Sequence, residues 1–390
     1  MENLSISIDP KETARTLTQR IKAQGTALGF DLVGVSPVRK PAHAESFAEW
    51  LRRGHHGEMG YMRRTAERRL DPEGFLPWAR SIVSVGLNYN TAHAREGEAE
   101  EICGWISRYA WGDDYHEVMR VKLSRLLEYA RQEAGPGVQG RIFVDAGPVM
   151  DREVGGQAGI GWYGKNTNLL SMKIGSFFFL GELFLNLELE PDQPIRDRCG
   201  QCRLCLDACP TNAFVGPYVL DARKCISYLT IELKGAIPRD LRPRMGSHIF
   251  GCDICQDVCP YNTKVKSTRE QTFRPRQGLH APELIPLLSL TEPEFKRKFA
   301  KSPILRAKRR GFLRNVCVAL GNLRRPEAIP GLARLLVEDS DPLVRGHAAW
   351  ALGQIRTTDA QAVLHERRAQ ETDKTVLEEI EAAIAAFPSE

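Results

Sequence analysis

Cys199-Gly200-Gln201-Cys202-Arg203-Leu204-Cys205-Leu206-Asp207-Ala208-Cys209-Pro210 and, further on, Cys252-Asp253-Ile254-Cys255-Gln256-Asp257-Val258-Cys259-Pro260 decide how this chain folds. The first run reproduces the spacing with which bacterial two-cluster ferredoxins hold iron and sulfide: three cysteines grip one cluster, and the fourth, before proline, reaches over to the other. The second run lacks its leading cysteine. Cys225, 27 residues upstream of Cys252, supplies it if the chain folds back. The expected ligand sets are Cys199, Cys202, Cys205 and Cys259 for one four-iron cluster, and Cys209, Cys225, Cys252 and Cys255 for the other. Zinc fits poorly, since its sites favour paired CxxC or mixed Cys/His ligands. A disulfide framework also fits poorly, because nothing at the N-terminus looks secretory and a reducing cytosol keeps thiols free. The remaining two of the ten cysteines, Cys103 and Cys317, are expected to be small buried hydrophobes.

Outward from this centre, 390 residues leave room for two or three domains. A composition 42% hydrophobic and 26% charged is that of a soluble globular protein, expected in the cytoplasm. The most apolar stretch, Ser176 to Leu189, is interrupted by Glu182, Asn186 and Glu188, so no membrane span is expected. Upstream, apolar spacing predicts a helix over Lys11 to Phe30 and a strand over Asp31 to Ser36, followed by a strand over Ser81 to Asn88. A further helix is expected over Glu117 to Glu133, with Val118, Val121, Leu123, Leu126 and Leu127 on its apolar face. His55-His56-Gly57 is expected in a polar loop, since neighbouring side chains on a strand would point apart.

Arg141 to Asp145 is expected to be a strand ending on an acid, where open α/β sheets usually place ligands. Gly159 to Gly164 then forms a literal GxGxxG. A dinucleotide fingerprint needs a strand before it and a helix after it. Here the helix-like Met150 to Gln157 precedes it and the strand-like Leu169 to Lys173 follows, which leaves a glycine-rich turn or a loop approaching a large flat cofactor.

Beyond the cysteines, Lys296 to Arg314 carries nine Lys or Arg residues and no acid, either a solvated face or the footprint of a phosphate backbone. Ala319-Leu320-Gly321 returns as Ala351-Leu352-Gly353 and more faintly as Ala383-Ile384-Ala385, a period of 32 residues that predicts paired helices in a small HEAT-like solenoid.

Together these features resemble the epoxyqueuosine reductases, cobalamin-dependent iron–sulfur enzymes that complete queuosine at the wobble position of the tRNA anticodon. The resemblance rests on Ser107-Arg108-Tyr109-Ala110-Trp111-Gly112-Asp113-Asp114-Tyr115-His116, the Val144-Asp145 strand end and the Ala158 to Thr167 loop. It also rests on the eight cysteines, Cys225-Ile226-Ser227-Tyr228-Leu229-Thr230, and the HEAT-like tail. It covers essentially the whole chain. It implies a mixed α/β and α+β molecule. Residues 1–190 would form an α/β, nitroreductase-like cobalamin-binding domain, 191–275 a ferredoxin-like domain with two 4Fe-4S clusters, and 276–390 HEAT-like repeats that dock tRNA. It makes Asp145 the general acid. It places Arg69, Ser107, Asp145, Lys165, Asn166, Leu169, Ser227 and Asp253 against a base-off cobalamin, and Lys234, Lys308, Arg309 and Arg310 against tRNA. Ser107 stands where some members carry a cysteine, so an upper sulfur ligand is not expected here.

The chemistry agrees with these parts. Deoxygenating an epoxide to an alkene takes two electrons and two protons and releases water. Iron–sulfur potentials extend to about −700 mV, low enough to serve a strongly reducing cofactor. A positioned acid contributes roughly 100- to 10,000-fold. A small-molecule corrinoid reductase of the reductive dehalogenase type would share the clusters but have no need of a basic solenoid. An electron-transfer scaffold would have no need of the strand-end acid. The expected partners are tRNA bearing epoxyqueuosine and a low-potential electron donor, with the chain acting as a monomer.

Overall fold

The computed structural model describes residues 10–91 and 102–387. Four strands, β1 (Leu32–Pro37), β2 (Ser81–Asn88), β3 (Gly140–Phe143) and β4 (Phe178–Leu185), form a sheet in the order β1-β2-β4-β3, and every pairing is antiparallel. The ligand rule for parallel sheets therefore does not explain where Asp145 lies. The acid stands two residues past β3, with φ 47.

Alternation along the strands gives the sheet two covered faces. Val83, Val85, Leu183 and Leu185 pack under helices α1 (Pro10–Ala27) and α2 (Tyr115–Ala134). Ile82, Phe143 and Phe184 pack on the opposite face with Val149 and Val154, the latter from α3 (Asp151–Gln157). The α2 helix starts where the Asp114 side chain accepts the His116 N–H and ends at Gly135, whose φ of 94 favours glycine. Its buried row is Met119, Leu123, Leu126, Leu127 and Ala130. Val121, expected on that row, is 50% exposed, because Met119 takes the position one turn before Leu123.

His55 and His56 do sit in a turn, but both are buried, with His55 Nδ1 3.4 Å from Asp221 and its carbonyl accepting the Ala222 N–H. The expected strand from Leu169 to Lys173 shrinks to Leu169–Leu170, paired with Trp162–Tyr163. A tight bridge between Ser171 and Gly175 turns the chain straight after it.

The C-terminal part alternates α4 (Lys308–Leu323), α5 (Ile329–Glu338), α6 (Pro342–Ile355), α7 (Thr358–Arg368) and α8 (Lys374–Ala385). The repeated Ala-x-Gly marks the seam between inner helices. A Cβ on Gly321 would meet Trp350 at 2.6 Å, and one on Gly353 would meet Ala383 at 2.7 Å. Asp341 and Asp373, one period apart, cap α6 and α8.

The repeats and the cysteine-rich region share one apolar core, and α4 adds a polar bolt to it. The buried Arg314 donates to the carbonyls of Leu229, Leu233 and Gly235, at the end of the short helix Ile226–Ile231. Asn315 donates to Thr230 and Ile249. Burial lowers the Arg314 guanidinium to about 9.

Candidate active site and cluster-binding centres

The cysteines fall into the two sets that the spacing predicts. Cys199, Cys202, Cys205 and Cys259 line one cavity of about 190 Å3, together with Lys165, Asn166 and Tyr261. Burial, then the neighbouring thiols of Cys259, Cys199 and Cys202, push the Cys205 thiol up to about 11. The second set is deeper. Cys255 is pushed up by burial and then by Cys252 and Cys225, and Cys252 by burial with Cys225 and Cys209 among its neighbours. The chain has folded back to bring Cys225 into this group.

Each set suits a cluster. Each offers four thiols, the donor number of a four-iron cluster, and those of the first set line an open cavity. Backbone N–H groups already face the sulfurs: Ala213 donates to Cys209 at 3.3 Å, and Ser227 and Tyr228 to Cys225. Such donors favour the thiolate that iron requires, and loading must displace the thiol protons. Cys103 and Cys317 are buried.

Next to the second set, Asp253 is buried between Cys252 and Cys255, where Ser107 Oγ and the Arg108 N–H donate to its two oxygens. Burial lifts its carboxyl to about 6 against those donors. Tyr109 packs on Phe250 with ring centroids 5.9 Å apart and meets Tyr115 edge-on at 6.3 Å. Tyr115 stacks on Phe179 at 4.1 Å and donates its hydroxyl to Asp145 Oδ2 at 2.6 Å. Burial, then the Asp145 charge, pushes both phenols well above their usual range. An uncharged aromatic wall thus runs from the second thiol set to Asp145. Its rings are packed against one another, with Tyr115 stacked between His116 and Phe179, so the row is a rigid apolar backing for the site.

Asp145 itself is exposed and left-handed, on a loop held from outside. Arg69 donates to the carbonyls of Gly147 and Val149. Gly147 has φ 135, and a Cβ there would strike Phe143 at 2.4 Å, so the turn needs glycine. Arg69, expected at the cofactor, tethers this loop through its guanidinium. Arg306, from the stretch before α4, pairs with Glu232 at 3.0 Å, lies over the Tyr61 ring and is within electrostatic reach of Asp145.

The other expected cofactor contacts lie nearby, several already engaged. Lys165 Nζ bonds the carbonyls of Gly200 and Cys202, Asn166 donates to Cys255 O at 3.3 Å, and Ser227 is half-buried. Leu169 is buried with Leu32, Ile160 and Phe178. The glycines of the Gly159 to Gly164 loop answer to the protein: a Cβ on Gly161 would meet Leu170 O at 2.4 Å, and one on Gly159 would meet Gln193 O at 2.5 Å.

The expected tRNA residues divide. Lys234 and Lys308 are exposed. Arg310 is exposed but reaches Asp341 at 2.8 Å. Arg309 is turned inward, its Nε bonding Leu290 O and its Nη2 bonding Asp339, each at 2.6 Å, so it helps orient α4. Composition announces a basic run but not which of its members face inward.

Comparisons with known proteins bear on the whole of this arrangement. Residues 69–146 match the family described as epoxyqueuosine reductase QueG, 198–262 a 4Fe-4S double cluster binding domain, and 303–385 HEAT repeats. Epoxyqueuosine reductase of Pseudomonas aeruginosa is 44% identical over 354 residues, 90% of this chain and 97% of that one. The chain belongs to the epoxyqueuosine reductases. The Escherichia coli epoxyqueuosine reductase is 43% identical over 87% of this chain and 89% of its own length. A crystal structure of epoxyqueuosine reductase with an epoxyqueuosine-modified tRNA stem loop matches with a TM-score of 0.89 at 32% identity, covering 95% of this chain and 99% of the other. A Bacillus subtilis epoxyqueuosine reductase whose catalytic aspartate loop is swung out of the active site matches with a TM-score of 0.88, also at 32% identity, covering 96% and 99%. As a member of this family the chain is an oxidoreductase with two 4Fe-4S clusters and a cobalamin cofactor. Solved reductive dehalogenases, the alternative class, match with TM-scores of 0.39 to 0.40, too distant to carry weight.

Two residues beside the acid are not marked as functional by the sequence, which shows Glu182 only as an interruption of an apolar stretch. Asp151, the first residue of α3, and Glu182, in the middle of β4, lie within electrostatic reach of Asp145. The available signal was Glu182 itself, a lone acid in Phe178-Phe179-Leu180-Gly181-Glu182-Leu183-Phe184-Leu185.

Proposed function

We infer that this epoxyqueuosine reductase acts on tRNA bearing epoxyqueuosine at the anticodon wobble position and that Asp145 is its general acid. The observation that carries this is the placement of Asp145. It receives the Tyr115 hydroxyl on a loop tethered by Arg69, at the far end of an aromatic wall from the second thiol set.

With Arg69, the residues assigned to hold cobalamin are Ser107, Lys165, Asn166, Leu169, Ser227 and Asp253, of which Ser107 and Asp253 are bonded to each other beside the second thiol set. Cobalamin held by these residues would supply the nucleophile and the two electrons. This chain's own residues do the rest. The two cysteine sets would hold the clusters that supply a path for electrons from a low-potential donor, and the Cys199 set, with Cys202 exposed, is the more open of the two. The aromatic wall keeps water from the reacting centre. Tyr115, a neutral donor, aims the Asp145 carboxyl, which gives its proton to the oxygen freed when the ring opens. Lys234, Lys308 and Arg310 meet phosphates around the mouth, with Arg306 beside it.

No helix among the described residues is long and apolar enough to cross a membrane. A monomer working on tRNA in the cytoplasm accords with these parts. Asp145→Asn, with its shape kept and its acidic proton gone, should retain cobalamin and both clusters and lose about 100-fold or more of turnover, followed by nucleoside analysis of the tRNA. Near-normal queuosine formation by this variant would move the acid role to Tyr109.

A further inference from the structure

The reaction consumes two protons, one for the opened ring oxygen and one for the hydroxyl that leaves as water, yet Asp145 alone is assigned to give them. Behind it lies Glu182. Its side chain is 0% exposed, on the same sheet face as Ile82, Phe143 and Phe184, with Ser84 and Phe143 directly opposite on the neighbouring strands. No N–H or O–H among the described residues reaches either Glu182 oxygen, and the buried Ser84 hydroxyl beside it is also without a partner. The group that Glu182 does meet is the carboxyl of Asp151, at hydrogen-bond contact.

Two carboxylates have no donor between them, so this contact exists only when the pair carries a proton. An ionised, unpaired carboxylate at zero exposure would be far costlier than a protonated one. Burial and then the Asp151 charge push Glu182 well above the usual range, and burial followed by the Asp145 charge raises Asp151. Asp151 is half-buried, with Glu182 on its inner side, Asp145 within electrostatic reach and the Arg69 guanidinium nearby.

We propose that Asp151 and Glu182 form a proton-holding carboxyl pair that recharges Asp145 within a single turnover, so that one acid serves both proton transfers. The inference rests on Asp145 being the acid. The pair enters turnover with a proton on each carboxyl. Asp145 gives its proton to the ring oxygen as the C–O bond breaks, and takes one from Asp151. It then gives that proton to the carbon-bound hydroxyl, which departs as water. Asp145 and the pair are each left one proton short, the pair sharing the one that remains, and both refill from solvent. Two protons and the two electrons of the established reaction are thereby accounted for, and no further reactant is needed. Asp151 and Glu182 are positioning and relay residues and do not touch substrate.

Glu182→Gln keeps the shape and one donor but cannot release a proton. In the holoenzyme it should lower kcat by roughly ten- to a hundredfold, with KM for tRNA unchanged. Formic or acetic acid in the buffer should restore kcat in the variant, in proportion to concentration, and leave the wild type unaffected. Infrared spectroscopy of the wild type at neutral pH should show a protonated carboxyl band that shifts in heavy water and disappears in the variant. Wild-type kcat in Glu182→Gln overturns the relay, while inactivity of Asp145→Asn in the same preparation would leave the acid assignment standing. Should Glu182→Gln not fold, the wild-type spectrum and its Asp151→Asn counterpart decide: a band perturbed by Asp151→Asn supports the pair, and no protonated carboxyl at neutral pH overturns it.

Discussion

Asp145 is a short polar residue in a left-handed conformation, which costs little for Asp but still has to be held. Arg69 holds it. The planar guanidinium reaches two carbonyls of the loop at once, which neither lysine nor a neutral donor can reproduce. Arg69→Ala is therefore expected to speed amide exchange over 145–149 and to lower kcat roughly ten- to a hundredfold through loss of alignment, with tRNA affinity kept. Cobalamin titration separates the two roles of this residue. Unchanged cofactor affinity assigns the tether, and a matching loss of affinity assigns the contact expected from the family resemblance. Tyr115 and Glu182 show the same dependence on neighbours: each is an ordinary residue type, and its role comes from the group placed beside it.

Among the elements, the short helix Ile226–Ile231 does the most joining. Its first turn offers the Ser227 and Tyr228 N–H groups to Cys225, and its last carbonyls take Arg314 from α4. A ligand loop that would otherwise stray is thus pinned at both ends. Cys225→Ser is expected to damage the second cluster and leave the first, so iron per chain should fall by about half while the charge-transfer absorbance of the remaining cluster persists. Full iron content in a folded Cys225→Ser protein would remove Cys225 from the ligand set. The fold of the repeats should survive, because Arg314 bonds backbone carbonyls whichever side chain occupies position 225.

Over the whole molecule, the stretch before α4 brings the solenoid to the catalytic mouth through Arg306, which touches Tyr61 and lies within electrostatic reach of Asp145. Lys298, Lys301 and Lys308 are exposed on this same run, without ion pairs among the described residues. Reversing all three to glutamate should weaken tRNA binding and flatten its salt dependence by about two units in log K against log salt, at about 0.7 per phosphate contact for a single-stranded loop. Reduction of the bound cofactor should be unaffected. Unchanged affinity at physiological salt would place the docking surface elsewhere on the repeats. Arg309 and Arg310 are poorer probes, since reversing them also breaks the pairs to Asp339 and Asp341 and disturbs α4 itself.

Local spacing was enough to read both cysteine sets, the 32-residue repeat and the strand over Ser81 to Asn88, because each is a pattern of neighbours along the chain or of a fixed ligand geometry. The antiparallel order of the sheet, the inward turn of Arg309 and Arg314, the burial of His55 and His56 and the exposure of Val121 were not legible. They depend on which distant segment arrives opposite. Asp145 was singled out as the end of a strand, yet its surroundings come from Arg69, Tyr115 and Asp151 on three separate elements. Glu182 marks the limit most clearly: the sequence by itself determined only that an acid interrupts an apolar strand. Whether that acid is a defect or a proton store was decided by the packing of α3 over the sheet, which removes its water and leaves another carboxyl as its neighbour.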